Sequence, residues 1–474
     1  MNEVPHAMTI NGARVFTSNV DLVINPATEK QICAYPLASR EQLDDAVRAA
    51  QKAFISWRDR PLSERQALVA KLADLIQENQ ESFIRLLSTE QGKGRAAAEW
   101  EIGGSIHWLQ EVAKQSLPNE VVVDKGDEQI VTRHTPIGVV GAITPWNFPL
   151  LLAVWKVAPA LVAGNTVVLK PSPFTPLCTL WFGELAQSVL PPGVLNVISG
   201  GNELGQWMTE HADIGKISFT GSTATGRKVM ASASTNLKRL TLELGGNDPA
   251  IVLPDADPKA IAKDLFWASF ANSAQFCAAC KRLYVHEDIY DAVAAELVAY
   301  AKTVKMGDGL ADGVELGPIQ NKMQYDKLLN LLQDIKANGQ KVLLGGEAPG
   351  GKGYFIPVTL VDNPPEDSRV VVEEAFGPVL PLLKYRDIED VISRANNTCY
   401  GLAASVWGKD VSRAEAVASR LEAGTVWVNQ IHVFSPGLAF GGHKQSGVGV
   451  ENSLHGLAEY CNVQTVIRKA AASA

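Results

Sequence analysis

The segment NSAQFCAACKRLYV holds two thiols in C-x-x-C spacing, Cys277 and Cys280, and the basic residues Lys281 and Arg282 follow directly. Thiols at this spacing can bind a metal, exchange disulfides, supply a nucleophile or pack in a core. A zinc site needs about four ligands. Because the chain has no second C-x-x-C pair and no H-x3-H spacing, we expect no metal site.

The position of this motif disfavours disulfide exchange. A thioredoxin-like pair lies at a strand-to-helix turn of a small domain, whereas Cys277 follows a predicted helix and precedes the predicted strand RLYVH. We interpret Cys280, Cys399 and Cys461 as packing residues, because free cysteine is commonly buried. Cys277 is the candidate nucleophile because of the residues that could accompany it.

A carboxylate and an amide could complete the chemistry of Cys277. Glu243 ends the strand pattern RLTLELGG, and ligands of α/β sheets bind at strand ends. Asn147, in PWNFP, follows another β pattern and carries an amide donor. A nucleophile, a base and an oxyanion donor are what acyl transfer requires. Alone, each is ambiguous, because an Asn in a turn usually shapes the turn and a Glu at a strand end is usually solvated.

Hydrophobic spacing predicts the elements that position these residues. Apolar residues at i, i+3, i+4 and i+7 predict helices over 40–117, where Ser63 and Gln66 form a capping-box pattern. A β-rich stretch covers 121–143, and strands then alternate with helices in two series. This order is typical of doubly wound parallel sheets. The tail LAEYCNVQTVIRK alternates like a strand without a local partner, which would allow pairing with another subunit.

Composition restricts the class of protein. A chain of 474 residues is long enough for two to three domains. The net charge of -8 disfavours nucleic acid as a partner. The N-terminal sequence lacks a signal-peptide pattern, and the most apolar stretch, PLLLAVWKVAPALVAG, is interrupted by Lys156 and Pro159. With six scattered cysteines, these features predict a soluble cytoplasmic protein that does not bind membranes.

Seven motifs follow one another along the chain: PWNFP, KPS, FTGSTATG, LELGG, the Q-x-C of SAQFC, EEAFGPV and FGGHKQSG. In this order and approximate spacing they resemble the NAD(P)-dependent, non-acylating members of the aldehyde dehydrogenase superfamily. The resemblance implies that Cys277 attacks an aldehyde to give a hemithioacetal and then a thioester. It further implies that Glu243 is the general base and Asn147 the oxyanion-hole side chain.

The resemblance also implies a fold. It is an aldehyde dehydrogenase-like α/β fold with two doubly wound Rossmann-like domains and a small β oligomerisation flap. The NAD(P)-binding domain would comprise 1–119 and 140–245, the catalytic domain 246–445, and the flap 120–139 and 456–474. Because the flap completes a neighbour's sheet in the family, a homodimer or homotetramer is expected.

A nicotinamide cofactor is the third implication. Lys170 of KPS would contact the adenosine ribose, and Glu374 of EEAFGPV the nicotinamide ribose. Many NAD-preferring members carry Glu where this chain has Pro173, which neither binds ribose hydroxyls nor repels a 2′-phosphate. NAD is therefore the expected cofactor and NADP the alternative. The implied cofactor-binding residues are Ile143, Trp146, Lys170, Gly221, Ser222, Leu244, Glu374 and Phe376.

The positions that match the family's aldehyde tunnel are mostly aromatic. They are Phe148, Trp155, Phe276, Phe434 and Phe440, with Leu151, Leu152 and Val433 as additions. Such a slot suits an apolar aldehyde, aliphatic or aromatic. A semialdehyde would need a cationic partner for its carboxylate, and none of these positions is Arg or Lys, so semialdehyde oxidation is the alternative. His432 is interpreted as a loop residue.

Two rival functions remain from other classes. CoA-acylating relatives generally lack the glutamate of LELGG, so Glu243 favours hydrolysis over transfer to CoA. Non-catalytic relatives tend to lose a catalytic residue, and here the nucleophile, the base and the oxyanion amide are all present. Ala439 and Val450 replace Pro and Arg of the family's C-terminal motif, and we expect only altered loop packing from them.

Overall fold

Helices and strands alternate along the chain in the computed structural model, which describes residues 6–125 and 127–469. The strands are β1 (Met8–Ile10), β2 (Ala13–Val15), β3 (Val20–Ile24), β4 (Gln31–Pro36), β5 (Glu120–Lys125), β6 (Glu128–Pro136), β7 (Val139–Ile143), β8 (Thr166–Lys170), β9 (Leu195–Val197), β10 (Lys216–Thr220), β11 (Arg239–Glu243), β12 (Asp248–Val252), β13 (Cys280–His286), β14 (Val342–Leu344), β15 (Thr359–Asp362), β16 (Val379–Tyr385), β17 (Ala403–Trp407), β18 (Thr425–Val428), β19 (Gly447–Val448) and β20 (Cys461–Lys469). The helices are α1 (Arg40–Arg58), α2 (Leu62–Glu78), α3 (Gln80–Gln91), α4 (Arg95–Val112), α5 (Pro149–Val162), α6 (Leu177–Ala186), α7 (Asn202–Glu210), α8 (Thr223–Ala233), α9 (Pro258–Phe270), α10 (Tyr290–Ala301), α11 (Lys322–Ala337), α12 (Arg369–Val372), α13 (Ile388–Asn396), α14 (Val411–Ala418) and α15 (Ser453–Ala458).

The first large sheet has eight strands in the order β19-β11-β10-β7-β8-β9-β1-β2. Strands β7 to β11 are parallel to their neighbours, while β1, β2 and β19 are antiparallel additions. The chain passes from β7 outward to β8 and β9, and it then returns to the other side of β7 with β10. The strand order therefore reverses between β7 and β10, which is where a crevice opens in such sheets.

The second large sheet has seven strands in the order β14-β15-β16-β13-β12-β17-β18, all parallel except β14. Residues 244–247 connect the carboxyl end of β11 to the amino end of β12. Because this connection is so short, the carboxyl edge of the first sheet faces the amino edge of the second. The predicted pair of doubly wound sheets is confirmed.

A third, antiparallel sheet has the order β20-β6-β5. The tail strand β20 pairs with β6 of the same chain, from Cys461 opposite Pro136 to Lys469 opposite Glu128. As expected, the tail strand has no local partner, since β6 lies more than 300 residues away in sequence, and both strands lie within the residues predicted for the flap. Gly126 and residues 470–474 of the predicted flap lie outside the described residues.

Two expectations need correction. The capping box belongs to α1, where Ser39 and Gln42 bond each other's backbone, and not to Ser63. Pro61 is the N-cap residue of α2, so Ser63 already lies within the first turn of that helix. Cys399 is exposed and not a packing residue. Among the described residues, no helix is long and apolar enough to cross a bilayer.

Candidate active site

The predicted catalytic and cofactor residues meet where parallel strands end. Ile143 is the last residue of β7, Lys170 of β8 and Glu243 of β11, and Gly221 directly follows β10. The backbone N–H of Gly221 donates to the carbonyl of Glu243 at 3.0 Å, which joins the two neighbouring strand ends. The sheet thus gathers at one edge residues that are about a hundred positions apart in sequence.

Cys277 lies in a strained loop between α9 and β13. The consecutive residues Asn272, Ser273 and Ala274 have φ angles of 54°, 54° and 58°, a region that side-chain-bearing residues rarely adopt. Ser273 Oγ donates to the carbonyl of Gly317 at 2.7 Å. Tertiary bonds of this kind hold the strained backbone in place.

Gln275, the glutamine of Q-x-C, strengthens that attachment. Its Nε2 donates to the carbonyls of Asn272 (3.0 Å) and Pro318 (3.2 Å), and its Oε1 accepts from the N–H of Gln320 at 2.8 Å. The side chain is buried. Gln275 therefore fixes the nucleophile loop to residues 318–320.

Asn147 is placed against the same loop. Its Nδ2 donates to the carbonyl of Gln275 at 2.9 Å, two residues before Cys277. Its own carbonyl accepts from Lys93 Nζ (2.9 Å) and from Asn272 Nδ2 (3.1 Å). Since an amide nitrogen carries two hydrogens, one donor of Asn147 is left for a bound oxygen.

A buried ion pair supports Asn147 from behind. Lys93 Nζ lies 2.6 Å from Glu101 Oε2, and neither side chain is exposed. Glu101 Oε1 accepts from the N–H groups of Leu150 and Leu151 in the first turn of α5. The carboxylate thus caps the positive end of α5, whose first turn follows Asn147 and Phe148. The sequence did not predict this ion pair, because no motif or local spacing indicates it.

Four oxygen atoms at the candidate site lack a hydrogen-bond partner among the described residues. They are both carboxyl oxygens of Glu243, Oγ1 of Thr220 and Oε2 of Glu451, all buried. The three residues line one cavity together with Cys277. Buried polar atoms without a partner are rare in proteins, and here they lie in the same cavity lining as the Cys277 thiol.

Glu451, which lines the cavity together with Glu243, belongs to a buried polar network. Its Oε1 is bonded by Lys156 Nζ and accepts from Ser218 Oγ at 3.2 Å, and Tyr460 OH donates to Ser218 Oγ at 3.2 Å. Burial raises the pKa of Glu243 well above its usual value, the charge of Glu451 adds to this rise, and Lys156 opposes it. Glu243 is therefore a stronger base than an exposed carboxylate.

The half-buried thiol of Cys277 also has a perturbed acidity. Burial raises the pKa of Cys277 to about 12, the ammonium of Lys281 lowers it, and the carboxyls of Asp248, Glu243 and Glu374 raise it further. The resting thiol is therefore protonated at neutral pH. Its neighbour Cys280 packs in the core of the second sheet, as predicted.

Apolar side chains form the rest of the cavity, and all five predicted tunnel aromatics are among them. The apolar lining comprises Trp100, Phe148, Leu151, Leu152, Trp155, Phe276, Phe434 and Phe440. Trp100 was missed; it contacts the Phe148 ring edge-on, at a centroid distance of 5.9 Å. Val433 does not line this cavity and is exposed. His432 is more than a loop residue, since its ring stacks on Phe276 at 4.4 Å.

Several of the predicted cofactor residues lie close to one another in the structure. Trp146 and Phe376 meet edge to face at 5.3 Å. Glu374 Oε1 accepts from the N–H of Gly246 at 3.1 Å. A Cβ at Gly245 would lie 2.3 Å from the Glu374 carboxylate, so any side chain at this position would displace that carboxylate.

The other predicted cofactor residues include a helix N-terminus and a buried lysine. Ser222 caps α8 by accepting from the N–H of Thr225, so the positive end of that helix faces the edge where β10 ends. Lys170 is buried with one acceptor, the carbonyl of Pro171, and burial lowers the pKa of Lys170 to about 8. Leu244 is buried beside Gly226 of α8. A cation and a helix N-terminus fit a dinucleotide.

Comparison with known proteins identifies the family. The family model described as the aldehyde dehydrogenase family matches residues 17–466. This chain belongs to the aldehyde dehydrogenase family. Aldehyde dehydrogenase 1A1 of Mesocricetus auratus is 42% identical over 461 residues, covering 94% of this chain and 91% of the relative. The same enzyme of Gallus gallus is 42% identical over 461 residues, covering 94% and 90%.

Solved aldehyde dehydrogenases share the fold. An NAD+ complex of the aldehyde dehydrogenase from Bacillus cereus has a TM-score of 0.96 and 38% identity, covering 98% of this chain and 96% of that chain. These matches confirm the family resemblance, the α/β class with Rossmann-like sheets and aldehyde oxidation as the general reaction. Within 6–125 and 127–469, no group of three or more His, Cys, Asp or Glu could hold a metal ion.

Proposed function

We propose that this aldehyde dehydrogenase oxidises an apolar aldehyde, aliphatic or aromatic, to the carboxylic acid with a nicotinamide cofactor. The supporting observation is the single cavity that joins the Cys277 thiol and the Glu243 carboxyl to eight apolar side chains. None of the described residues that line it is Lys or Arg. An aldehyde that carries a carboxylate would therefore lose its hydration there without a charged partner.

The first half of the reaction is attack by Cys277. Glu243 takes the thiol proton, directly or through a water molecule. The sulfur then bonds the aldehyde carbon, and the carbonyl electron pair moves to oxygen. The free hydrogen of Asn147 Nδ2 and the backbone N–H of Cys277 would donate to that oxygen. A bound nicotinamide supplies the acceptor for the hydride, which leaves the carbon with its electron pair.

The second half is hydrolysis of the thioester on Cys277. After Glu243 has released the thiol proton to solvent, it removes a proton from water, and the oxygen bonds the acyl carbon. The carbon–sulfur bond then breaks to release the acid, and the Cys277 thiolate takes back a proton from Glu243. The raised pKa of Glu243 suits this role, because a stronger base accepts the proton of water more readily. Asn147 would act again at the tetrahedral stage.

For the cofactor, we propose NAD, with NADP as the alternative. NAD+ complexes of similar enzymes from Bacillus cereus and Staphylococcus aureus support the use of NAD. Lys170, Ser222 and Glu374 are the residues that would hold the adenosine ribose, the pyrophosphate and the nicotinamide ribose. Pro173 offers no carboxylate that would select against a 2′-phosphate. A titration with both cofactors tests this: NAD at least about a thousandfold better than NADP would reject dual use.

The test of the substrate class is absorbance at 340 nm with octanal, benzaldehyde, phenylacetaldehyde and succinic semialdehyde. We expect turnover with the apolar aldehydes and a much lower kcat/KM for the semialdehyde. A preference for succinic semialdehyde would overturn the proposal and favour the alternative. Adding CoA should produce no acyl-CoA, which separates hydrolysis from acyl transfer.

A further inference from the structure

Lys281, which directly follows the C-x-x-C spacing, is buried among charged groups. Its side chain is 5% exposed. The ammonium donates to the carbonyl of Cys277 and lies 3.5 Å from both the carbonyl of Ala279 and Oε1 of Glu374. A buried ammonium loses hydration, which only such acceptors and opposite charges can offset. The carbonyl and carboxyl oxygens around the Lys281 side chain therefore favour a positively charged group at this position.

The next residue shows that Lys281 is the cation that faces the nucleophile. Side chains alternate along a strand, and Lys281 and Arg282 are consecutive in β13. Arg282 points away and donates to the carbonyls of Asn247, Arg394 and Ala395. Lys281 instead turns back toward the loop that carries Cys277.

The thiol of Cys277, whose backbone carbonyl Lys281 bonds, lies among carboxyl groups. Asp248, Glu243 and Glu374 each disfavour a negative charge on Cys277, and Lys281 acts in the opposite direction. Asp248 Oδ2 is buried without a hydrogen-bond partner among the described residues. Forming a thiolate here adds negative charge to an already acidic cluster, which a nearby cation would ease.

We propose that Lys281 is a positioning residue whose buried ammonium offsets the carboxylates around Cys277 and fixes the nucleophile loop, so that the thiolate forms at a lower pH than it would without that charge. The inference rests on the proposed role of Cys277 as the nucleophile. The charge is the functional feature, and the bond to the Cys277 carbonyl holds it in place.

The test is the pH dependence of Cys277 alkylation by iodoacetamide in the free protein, followed by peptide mass spectrometry that separates Cys277 from Cys280. Lys281→Met removes the charge and the donor, Lys281→Gln removes the charge but keeps a donor, and Lys281→Arg keeps both. Both neutral variants should move the midpoint up by about one pH unit, so alkylation below it slows about tenfold. Lys281→Arg should stay within a few tenths of wild type.

Lys327→Met is the matched control. Lys327 Nζ donates to the backbone carbonyl of Glu374 at 2.6 Å, but the lysine is exposed. Its variant should keep the wild-type profile. A folded Lys281→Met or Lys281→Gln protein with the wild-type profile would overturn the inference; if one fails to fold, the other decides. Alkylation needs no turnover, so an inactive wild type that shows these shifts would refute only the proposed function.

Discussion

At the scale of single residues, the chemistry depends on one cysteine of the C-x-x-C spacing. Cys277 opens into the cavity and Cys280 packs in a core. Cys277→Ala should therefore reduce turnover by on the order of 10³-fold or more, while cofactor binding, followed by protein fluorescence, is retained. Cys280→Ala should keep most activity. An inactive but folded Cys280→Ala protein would instead support disulfide chemistry.

Replacing Glu243 should separate the two halves of the reaction. In Glu243→Gln the amide cannot accept a proton from water, so the thioester on Cys277 should accumulate. Because Glu243 also takes the thiol proton, stopped-flow absorbance at 340 nm should show a slowed burst of about one NADH per active site, followed by turnover that is slower still. Mass spectrometry of the quenched protein should detect the acyl group. Steady turnover at the wild-type rate would contradict the role of Glu243 as the base.

The pH profile should respond to Glu451. Burial and the charge of Glu451 both raise the pKa of Glu243, and only its deprotonated form acts as a base. Activity should therefore fall as pH drops through this raised pKa. Glu451→Gln removes the like charge, so the acid limb of kcat should move to lower pH, by about one unit. An unchanged limb would show that the two carboxyls do not interact.

At the scale of elements, the sequence was informative where a signal is local. Strand alternation and the position of Cys277 between a helix and a strand were predicted correctly. The five aromatics proposed for the tunnel line one cavity with Cys277. Nothing in the sequence indicated the roles of Lys93, Glu101 and Glu451. Each of these residues acts on a residue far away in sequence. Pairing of this kind depends on tertiary packing, and no periodicity or spacing in a single sequence indicates which distant residues will meet.

The ion pair of Lys93 and Glu101 makes the start of α5 testable as an element. Lys93→Met leaves the fully buried Glu101 carboxylate unpaired, which should lower the free energy of unfolding by about 3–5 kcal/mol. Urea denaturation measures this. Arg95→Met is the control, because Arg95 pairs with Glu81 at the surface and such pairs contribute little. Equal stability of the two variants would refute the role of the buried pair.

At the scale of the whole molecule, the active site depends on two sheets and on loops from both. Glu243 comes from the carboxyl edge of the first sheet, while Cys277 and Glu374 precede strands of the second. We propose that the first sheet apart from β19 belongs to a cofactor domain (1–119 and 140–245), the second sheet to a catalytic domain (246–445), and the small sheet to a flap (120–139 and 456–474). No single segment contains a complete site, which explains why the motifs extend over most of the chain.

The small sheet gives the last prediction, which concerns assembly. On β20, Val463 and Ile467 are 67% and 68% exposed and lie on one face of the strand. Apolar side chains so placed fit a contact with a second copy. Sedimentation should show two or four chains of 50.9 kDa. Each buried apolar side chain contributes about 1.5–3 kcal/mol. The double variant Val463→Lys, Ile467→Lys should therefore raise the dissociation constant of the oligomer at least about tenfold. The control Met323→Lys, on α11, should leave that constant unchanged. A wild-type monomer would refute the flap's role.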